Sequence, residues 1–334
     1  MSNNRDYSSI LFTPEEIGNQ TAAYLEQRRD NAKFALRLGL DSLDKPDNKG
    51  RLILPMLPGE IMGVLARPGN GKTSWMVRWA RHRAKMLREM GITDRAVVYV
   101  TLEQSIEELN AFNLAADRRI SITNMAMGEI TPDEWKDCLR EGIQRRFMPL
   151  WNIGYSSMTD KKQIRLDADA LRGSLELIRD VHKLKIDAVF VDYLQRIPYD
   201  RAESKTVGVS DNLDAIKTIA LSQKFPGIIG IQARREVDDS DDKVPTIDDG
   251  QWTSNIEQSC DKLIALMRPA NYSKQGEQLA GLTVDGNCQM VVDMLKQKLG
   301  PANFRKYVYF DPIYNKLEEL DQRQPSAQSP RGAR

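Results

Sequence analysis

The sequence predicts an α/β fold, with a mainly parallel central sheet flanked by helices. Seven short apolar runs, at residues 61–65, 96–102, 187–191, 228–231, 263–267, 290–295 and 307–310, alternate with amphipathic helical stretches. Their side chains are apolar at consecutive rather than alternate positions. That is the pattern of strands buried on both faces, which a parallel sheet covered by helices requires. The first run also leads directly into a glycine-rich loop and then a helical stretch, the strand–loop–helix order of a phosphate-binding P-loop.

Composition sets the outer limits. The chain has 334 residues, 41% hydrophobic and 28% charged, enough to bury a full core. No apolar run approaches the roughly 20 residues of a membrane helix, and the start lacks a secretory apolar core, so a cytoplasmic location and no membrane partner are expected. Cys138, Cys260 and Cys288 are scattered and odd in number, and His82 and His182 are the only histidines. A disulfide frame, a zinc site and a histidine-based triad are therefore not expected. A net charge of +1 excludes a polybasic coat but leaves local basic patches open.

Residues 1–12 read as a loose lead-in. Thr13-Pro14-Glu15-Glu16 then reads as a helix start, with Thr13 as N-cap, Pro14 at the first helical position and Glu16 at the third. The following stripe of Ile17, Thr21, Leu25, Ala32 and Ala35 is thin and is broken by Arg28. Such a helix either lies on its own domain or acts as an arm docking on a neighbour. Residues 1–37 are expected to form this arm and residues 38–319 one α/β domain. Residues 320–334, rich in Gln, Ser, Pro and Arg, are expected to be a disordered tail.

In a parallel sheet, chemistry collects at the carboxyl ends of the strands. The run 61–65 leads into Ala66-Arg67-Pro68-Gly69-Asn70-Gly71-Lys72-Thr73, with Ser74 next. Gly69 and Gly71 allow backbone N–H groups to close on phosphate oxygens. Lys72 is expected on the β- and γ-phosphates of ATP and the Thr73 hydroxyl on magnesium, with the helix N-terminus facing the anion. The pattern usually starts with Gly, where this chain has Ala66.

The run 187–191 ends at Asp192, and an acid at the end of a buried strand must be paired or metal-bound. It is the expected magnesium-side carboxylate, opposite Thr73. The run 96–102 ends at Glu103, placed to polarise an attacking water, and 228–231 ends at Gln232, an amide able to sense the γ-phosphate. The run 290–295 ends in Lys296-Gln297-Lys298. Two lysines at alternate positions share one face when extended. They are either a basic finger for a neighbouring subunit's nucleotide or an exposed pair. Arg78, Arg81, Arg83, Lys85 and Arg88 fall around most of the helix behind the P-loop, which favours a solvated outer surface over a nucleic-acid patch.

Together these motifs resemble the DnaB-type replicative helicases, whose ATPase domain is RecA-like. The shared segments are the P-loop itself, Thr101-Leu-Glu-Gln, Thr131-Pro-Asp-Glu-Trp, Val191-Asp-Tyr-Leu-Gln, Ile256-Glu-Gln and Lys296-Gln-Lys-Leu-Gly-Pro. They occur in the family's order across roughly residues 38–318. Ala66 is the family's own form of the loop. The resemblance implies a homo-oligomer, a six-membered ring with ATP at its subunit interfaces. In it Glu103 is the catalytic carboxylate, Asp192 the Walker B acid, Gln232 the sensor, and Lys296 with Lys298 the finger acting in trans. The helix from Pro14 would be the linker helix packing on the adjacent subunit.

Four departures qualify this. The family's amino-terminal primase-binding domain is not expected within residues 1–37. The finger reads Lys-Gln-Lys rather than Lys-Gln-Arg, losing a bidentate fork. In the pore loop, Gln251 and Trp252 replace an Arg-Glu pair, and Trp252 either stacks on bases or fills a core. Finally, residues 236–249 hold seven acids against Lys243 alone, just after Arg234 and Arg235. This run repels strand phosphates unless it folds away from the channel. Single-stranded DNA is the expected partner, with Arg234, Arg235, Gln251 and Trp252 as its candidate contacts. The rival reading is a non-translocating ATPase of the same fold that recruits or regulates a partner protein. A recombinase-like filament is a third.

Overall fold

The apolar runs become strands of one sheet. The computed structural model describes residues 11–30, 35–145, 147–159, 164–199, 204–251 and 256–320, so Trp252 and the tail from residue 321 lie outside it. The chain divides into two units, residues 1–36 and 37–334. The first holds helix α1 (Pro14–Asp30), which opens on the expected capping box. Thr13 N donates to the Glu16 carboxylate at 2.7 Å, and Glu16 N donates to Thr13 Oγ1 at 3.2 Å.

The second unit contains eleven strands among the described residues: β1 (Ile61–Ala66), β2 (Arg95–Thr101), β3 (Leu150–Ile153), β4 (Lys185–Asp192), β5 (Gly227–Gln232), β6 (Lys262–Met267), β7 (Gln278–Leu279), β8 (Leu282–Thr283), β9 (Gln289–Gln297), β10 (Phe304–Asp311) and β11 (Lys316–Glu319). Its helices are α2 (Asp41–Asp44), α3 (Lys72–Glu89), α4 (Ile106–Arg118), α5 (Ile122–Met127), α6 (Pro132–Arg145), α7 (Ala168–Asp180), α8 (Lys205–Gln223) and α9 (Ile256–Ser259). Nine strands form one sheet in the order β11-β10-β9-β6-β1-β5-β4-β2-β3, while β7 and β8 pair separately. The strands from β6 to β3 pair in parallel, and β9, β10 and β11 extend the sheet antiparallel. Among the described residues no helix is long and apolar enough to cross a membrane.

The two faces of the parallel part follow the period of two along each strand. On one face Val98, Val100, Val189, Val191, Ile229 and Ile231 pack with Leu171, Leu175 and Ile178 of α7 and with Val209, Leu213 and Ile216 of α8. On the other, Phe190 meets α3. Its ring lies edge-on to Trp79 at 5.6 Å and stacks on Tyr99 at 6.2 Å. Asp192 follows Phe190 by two residues and so shares the α3 face. That alternation brings the Asp192 carboxylate to the P-loop side of the sheet.

Helix α3 corrects the expectation of a solvated basic surface. Arg83 is 1% exposed and donates from Nε to Asp187 at 2.6 Å, beneath the sheet rather than outside it. Arg78 donates to the Gly39 carbonyl at 2.8 Å, and Arg81 pairs with Asp117 at 2.8 Å. Only Lys85 and Arg88 point into solvent among these five, because α3 is covered by the sheet on one side and by residues 37–41 and α4 on others.

Candidate functional site

Register brings four strand ends to one edge. On adjacent strands, Ala66 of β1 pairs with Gln232 of β5, and Thr101 of β2 pairs with Asp192 of β4. Val191 of β4 sits opposite Ile229, which levels Asp192 with Gly230. Glu103 lies two residues past the end of β2, where Leu102 N donates to the Asp192 carbonyl at 3.0 Å. The P-loop, Gln232, Asp192 and Glu103 therefore share the carboxyl edge of β1, β5, β4 and β2, in that order.

The loop between β1 and α3 turns on two left-handed glycines, Gly69 at φ 77° and Gly71 at φ 83°. A Cβ on Gly71 would meet the Met290 methyl at 2.6 Å, and the positive φ there favours glycine. Asn70 is turned into the fold. It is 1% exposed, accepts from Arg268 N at 2.8 Å through Oδ1 and donates to Tyr272 Oη at 3.0 Å. Arg268 Nη1 and Asn271 Nδ2 donate to the Gly69 carbonyl at 3.3 and 3.2 Å. The segment after β6 thus braces the P-loop from outside. Thr73 and Ser74 occupy the half-buried first turn of α3, whose N-cap is Gly71.

Lys72 Nζ lies 2.7 Å from Asp192 Oδ1 and 4.1 Å above the Tyr193 ring, with both charged side chains nearly buried. Tyr99 donates its hydroxyl to Asp192 Oδ2 at 3.0 Å, and burial pushes that phenol well above its ordinary pKa, so it stays a donor. Gly230 makes room for the pair. A Cβ there would lie 3.1 Å from Lys72 Nζ and 3.2 Å from Asp192 Oδ1. Thr73, next to Lys72 in the first turn of α3, and Asp192 carry hard oxygen donors of the kind a magnesium ion takes, although Lys72 and Tyr99 engage both Asp192 oxygens.

Glu103 is half-exposed, and its Oε1 lies 3.6 Å from Arg196 Nη2. Arg196 Nε donates to Tyr193 Oη at 3.2 Å, and that bond raises the guanidinium above its ordinary pKa. Gln232 is held through its main chain. Its N–H donates to Gln195 Oε1 at 3.1 Å, and Gln195 Nε2 donates to the carbonyls of Gln232 at 3.3 Å and Gln251 at 2.9 Å. Gln251 N returns a bond to the Gln232 carbonyl at 2.9 Å. Gln195 therefore ties the turn after β4 to the end of β5 and to the segment that begins at Gln251.

The acidic run is partly neutralised within the fold. Arg67 Nη2 donates to Asp238 Oδ2 at 2.8 Å, which raises the arginine and lowers the carboxyl. Arg305 pairs with Asp242 at 2.8 Å, and Asp249 caps Thr246 N at 2.8 Å. Val237 and Val244 anchor the run in the core. Glu236, Asp239, Asp241 and Asp248 stay exposed, as do Arg234 and Arg235.

The lysine pair lies elsewhere. Lys296 pairs with Leu263, three residues along β6 from Leu266, the partner of Ala66. Lys298 N donates to the Asp261 carbonyl, further still toward the amino end of β6. At about 3.3 Å per residue this is roughly 10–17 Å from this chain's own P-loop edge. The two also differ. Lys296 Nζ donates to the carbonyls of Glu257 and Cys260 under α9, whereas Lys298 is 64% exposed and holds only a 3.5 Å contact to Asp261. Between them Gln297 is buried, bonding to Leu54 N at 2.7 Å and to the Pro301 carbonyl at 3.0 Å, which fixes the strand end.

Several of these residues escaped the sequence reading. Gln195 and Arg196 sit directly behind Asp192, and Arg268 directly follows β6. Looking past every strand end, β6 included, would have found them. Tyr99, Gly230 and Tyr272 carried no such signal, since only packing shows what they face.

Residues 43–319 match the family described as the DnaB-like helicase C-terminal domain. The replicative DNA helicase DnaB of Geobacillus stearothermophilus is 25% identical over 335 residues, covering 98% of this chain and 66% of that protein. The replicative DNA helicase DnaC of Bacillus subtilis is 24% identical, covering 82% of this chain and 55% of that protein. The chain thus spans between about half and two thirds of the length of these relatives. A solved ATPase domain shares the fold with a TM-score of 0.72 at 17% identity, covering 91% of this chain and 98% of that one. A DnaB-like replicative helicase solved in work on its interactions with primase gives 0.66 at 18%, covering 80% and 60%.

Proposed function

This chain belongs to the DnaB-like helicase C-terminal domain family, and on that premise we propose an ATP-hydrolysing ring motor that translocates on or unwinds DNA. ATP would sit at subunit interfaces of a homo-oligomer, six copies in the ring, in a cytoplasmic setting. Residues 38–319 would be its ATPase domain. The observation that carries this reading is the single edge holding the P-loop, Gln232, Asp192 and Glu103, with Lys296 and Lys298 well removed from it.

The residues then divide the work. Backbone N–H groups from Gly69 to Thr73 would receive the phosphates, and Lys72 would leave Asp192 to reach the β- and γ-oxygens. Thr73 and Asp192 would hold magnesium, which neutralises developing charge on the phosphates. Glu103 would accept a proton from water as its oxygen bonds to the γ-phosphorus and the bond to the ADP oxygen breaks. General-base help of this kind is worth about 10²–10⁴-fold. Lys298, the freer of the two lysines, would reach the neighbour's γ-phosphate, with Lys296 holding the strand end on α9.

Strand binding would use Arg234 and Arg235 with the Gln251 loop. Internal partners for Asp238, Asp242 and Asp249 reduce the acidic charge opposing a phosphate backbone. The decisive measurement is ATP turnover with and without single-stranded DNA. Strong stimulation is expected. Absence of both stimulation and binding at low salt, where phosphate contacts are strongest, would sink the motor reading.

A further inference from the structure

The carboxylate assigned to water activation has one oxygen turned toward a cation. Glu103 Oε1 faces the Arg196 guanidinium at 3.6 Å, and Arg196 is further steered by its bond to Tyr193. A carboxylate oxygen turned toward a guanidinium is poorly placed to accept a proton from water. Arg196 also lines a pocket of about 400 Å³ between the turn after β4, the end of β5 and the loop that follows. Arg67, Lys205 and Arg235 share that lining with the amides of Gln195 and Gln232, and among the described residues no carboxylate side chain lines it. Arg67 is committed to Asp238, and Arg235 is exposed. A cavity walled by guanidinium, ammonium and amide donors takes a phosphate oxyanion.

We propose that Arg196 is a positioning residue that couples strand binding to hydrolysis: it holds Glu103 until a phosphate of the single strand enters this pocket and takes over the guanidinium. Both members of the Glu103–Arg196 pair are about half exposed, at 51% and 54%. Ion pairs that solvent reaches so freely are weak and easily exchanged. A phosphate offers the guanidinium two parallel hydrogen bonds in place of one long contact. Gln195, bonded to Gln232 and Gln251, keeps the pocket wall and the sensor in one frame while the exchange occurs. The inference rests on the reading of Glu103 as the water-activating base and of single-stranded DNA as partner.

The test compares the full-length chain with Arg196→Ala and Arg196→Lys at saturating ATP, with and without a single-stranded oligothymidylate. In Arg196→Ala, turnover without the strand should rise about two- to fivefold, the rate equivalent of removing a half-exposed ion pair. Its ratio of stimulated to unstimulated turnover should fall toward one, and oligothymidylate should bind more weakly by fluorescence anisotropy. Arg196→Lys, which keeps the charge, should recover part of that ratio. Loss of turnover with ATP alone would make Arg196 a contact to the nucleotide's own phosphate, and an unaltered ratio would leave it without a coupling role. Either result overturns the proposal. Ordinary turnover in Glu103→Gln would instead remove the underlying reading of Glu103, a failure seen without any Arg196 variant.

Discussion

His82 shows how one buried side chain sets a pH limit. It sits on α3 against Gly39, whose φ of 77° and lack of a Cβ leave space for the ring: a Cβ there would lie 2.2 Å from Nε2. Burial, helped by the charge of Arg78, pulls the imidazole from 6.5 down to about 4. The fold thus favours neutral His82, and in the window between about 4 and 6.5 the unfolded chain binds more protons. The stabilisation is fully present above 6.5 and is lost as pH falls through that window. After discounting for the part of the ring that solvent still screens, it amounts to about 1–2 kcal/mol. His82→Gln should flatten the fall in thermal midpoint across this range. A variant that loses stability with the same profile would assign the acid sensitivity to carboxylates.

At the scale of elements, α3 joins the chemistry to the core, and Arg83 is its deepest polar anchor. Arg83 donates from Nε and Nη2 to both oxygens of Asp187, with each side chain 1% exposed, and Arg95 adds a third bond at 3.2 Å. Removing one partner of such a pair leaves a buried charge and costs about 3–5 kcal/mol. Arg83→Ala should lower the denaturant midpoint accordingly. The joint change Arg83→Met with Asp187→Leu should recover most of the loss, since Arg95 is exposed enough to turn to water. Failure of the joint change to recover would mean the pair contributes more than its own charges.

The same helix marks the limit of what the sequence discloses. Five cations spread around α3 look like a solvated surface, and nothing local identifies the one whose partner lies 104 residues away. The strands that carry the site were plain, because a parallel strand buried on both faces is a continuous apolar run. The edge strands were not. β3 contains Asn152 and only four residues, and β11 mixes Leu317 with Lys316, Glu318 and Glu319, so neither rises above loop composition. Asp192, Glu103 and Gln232 were legible because strand ends are predictable positions. Asn70 was legible as a P-loop residue but not as a brace, since its partners Arg268 and Tyr272 lie some two hundred residues on.

For the whole molecule, the proposed role of Lys298 dictates an assembly, because the lysine lies far from its own P-loop. β6 runs from the lysine end to the P-loop end, so under the proposed function Lys298 would have to serve the site of a head-to-tail neighbour rather than its own. A heterologous interface of this kind repeats around a ring, each copy giving a P-loop on one side and a lysine on the other. Glu103→Gln and Lys298→Ala should each abolish turnover while ATP still binds. Mixed one to one, they should regain activity, because an intact Glu103 from one copy meets an intact Lys298 from the next. About a quarter of interfaces would be whole if the copies assemble at random. Turnover measured after co-assembly, against each variant alone, separates the cases. If Lys298 served its own copy's nucleotide, every site would carry one defect and the mixture would stay inactive.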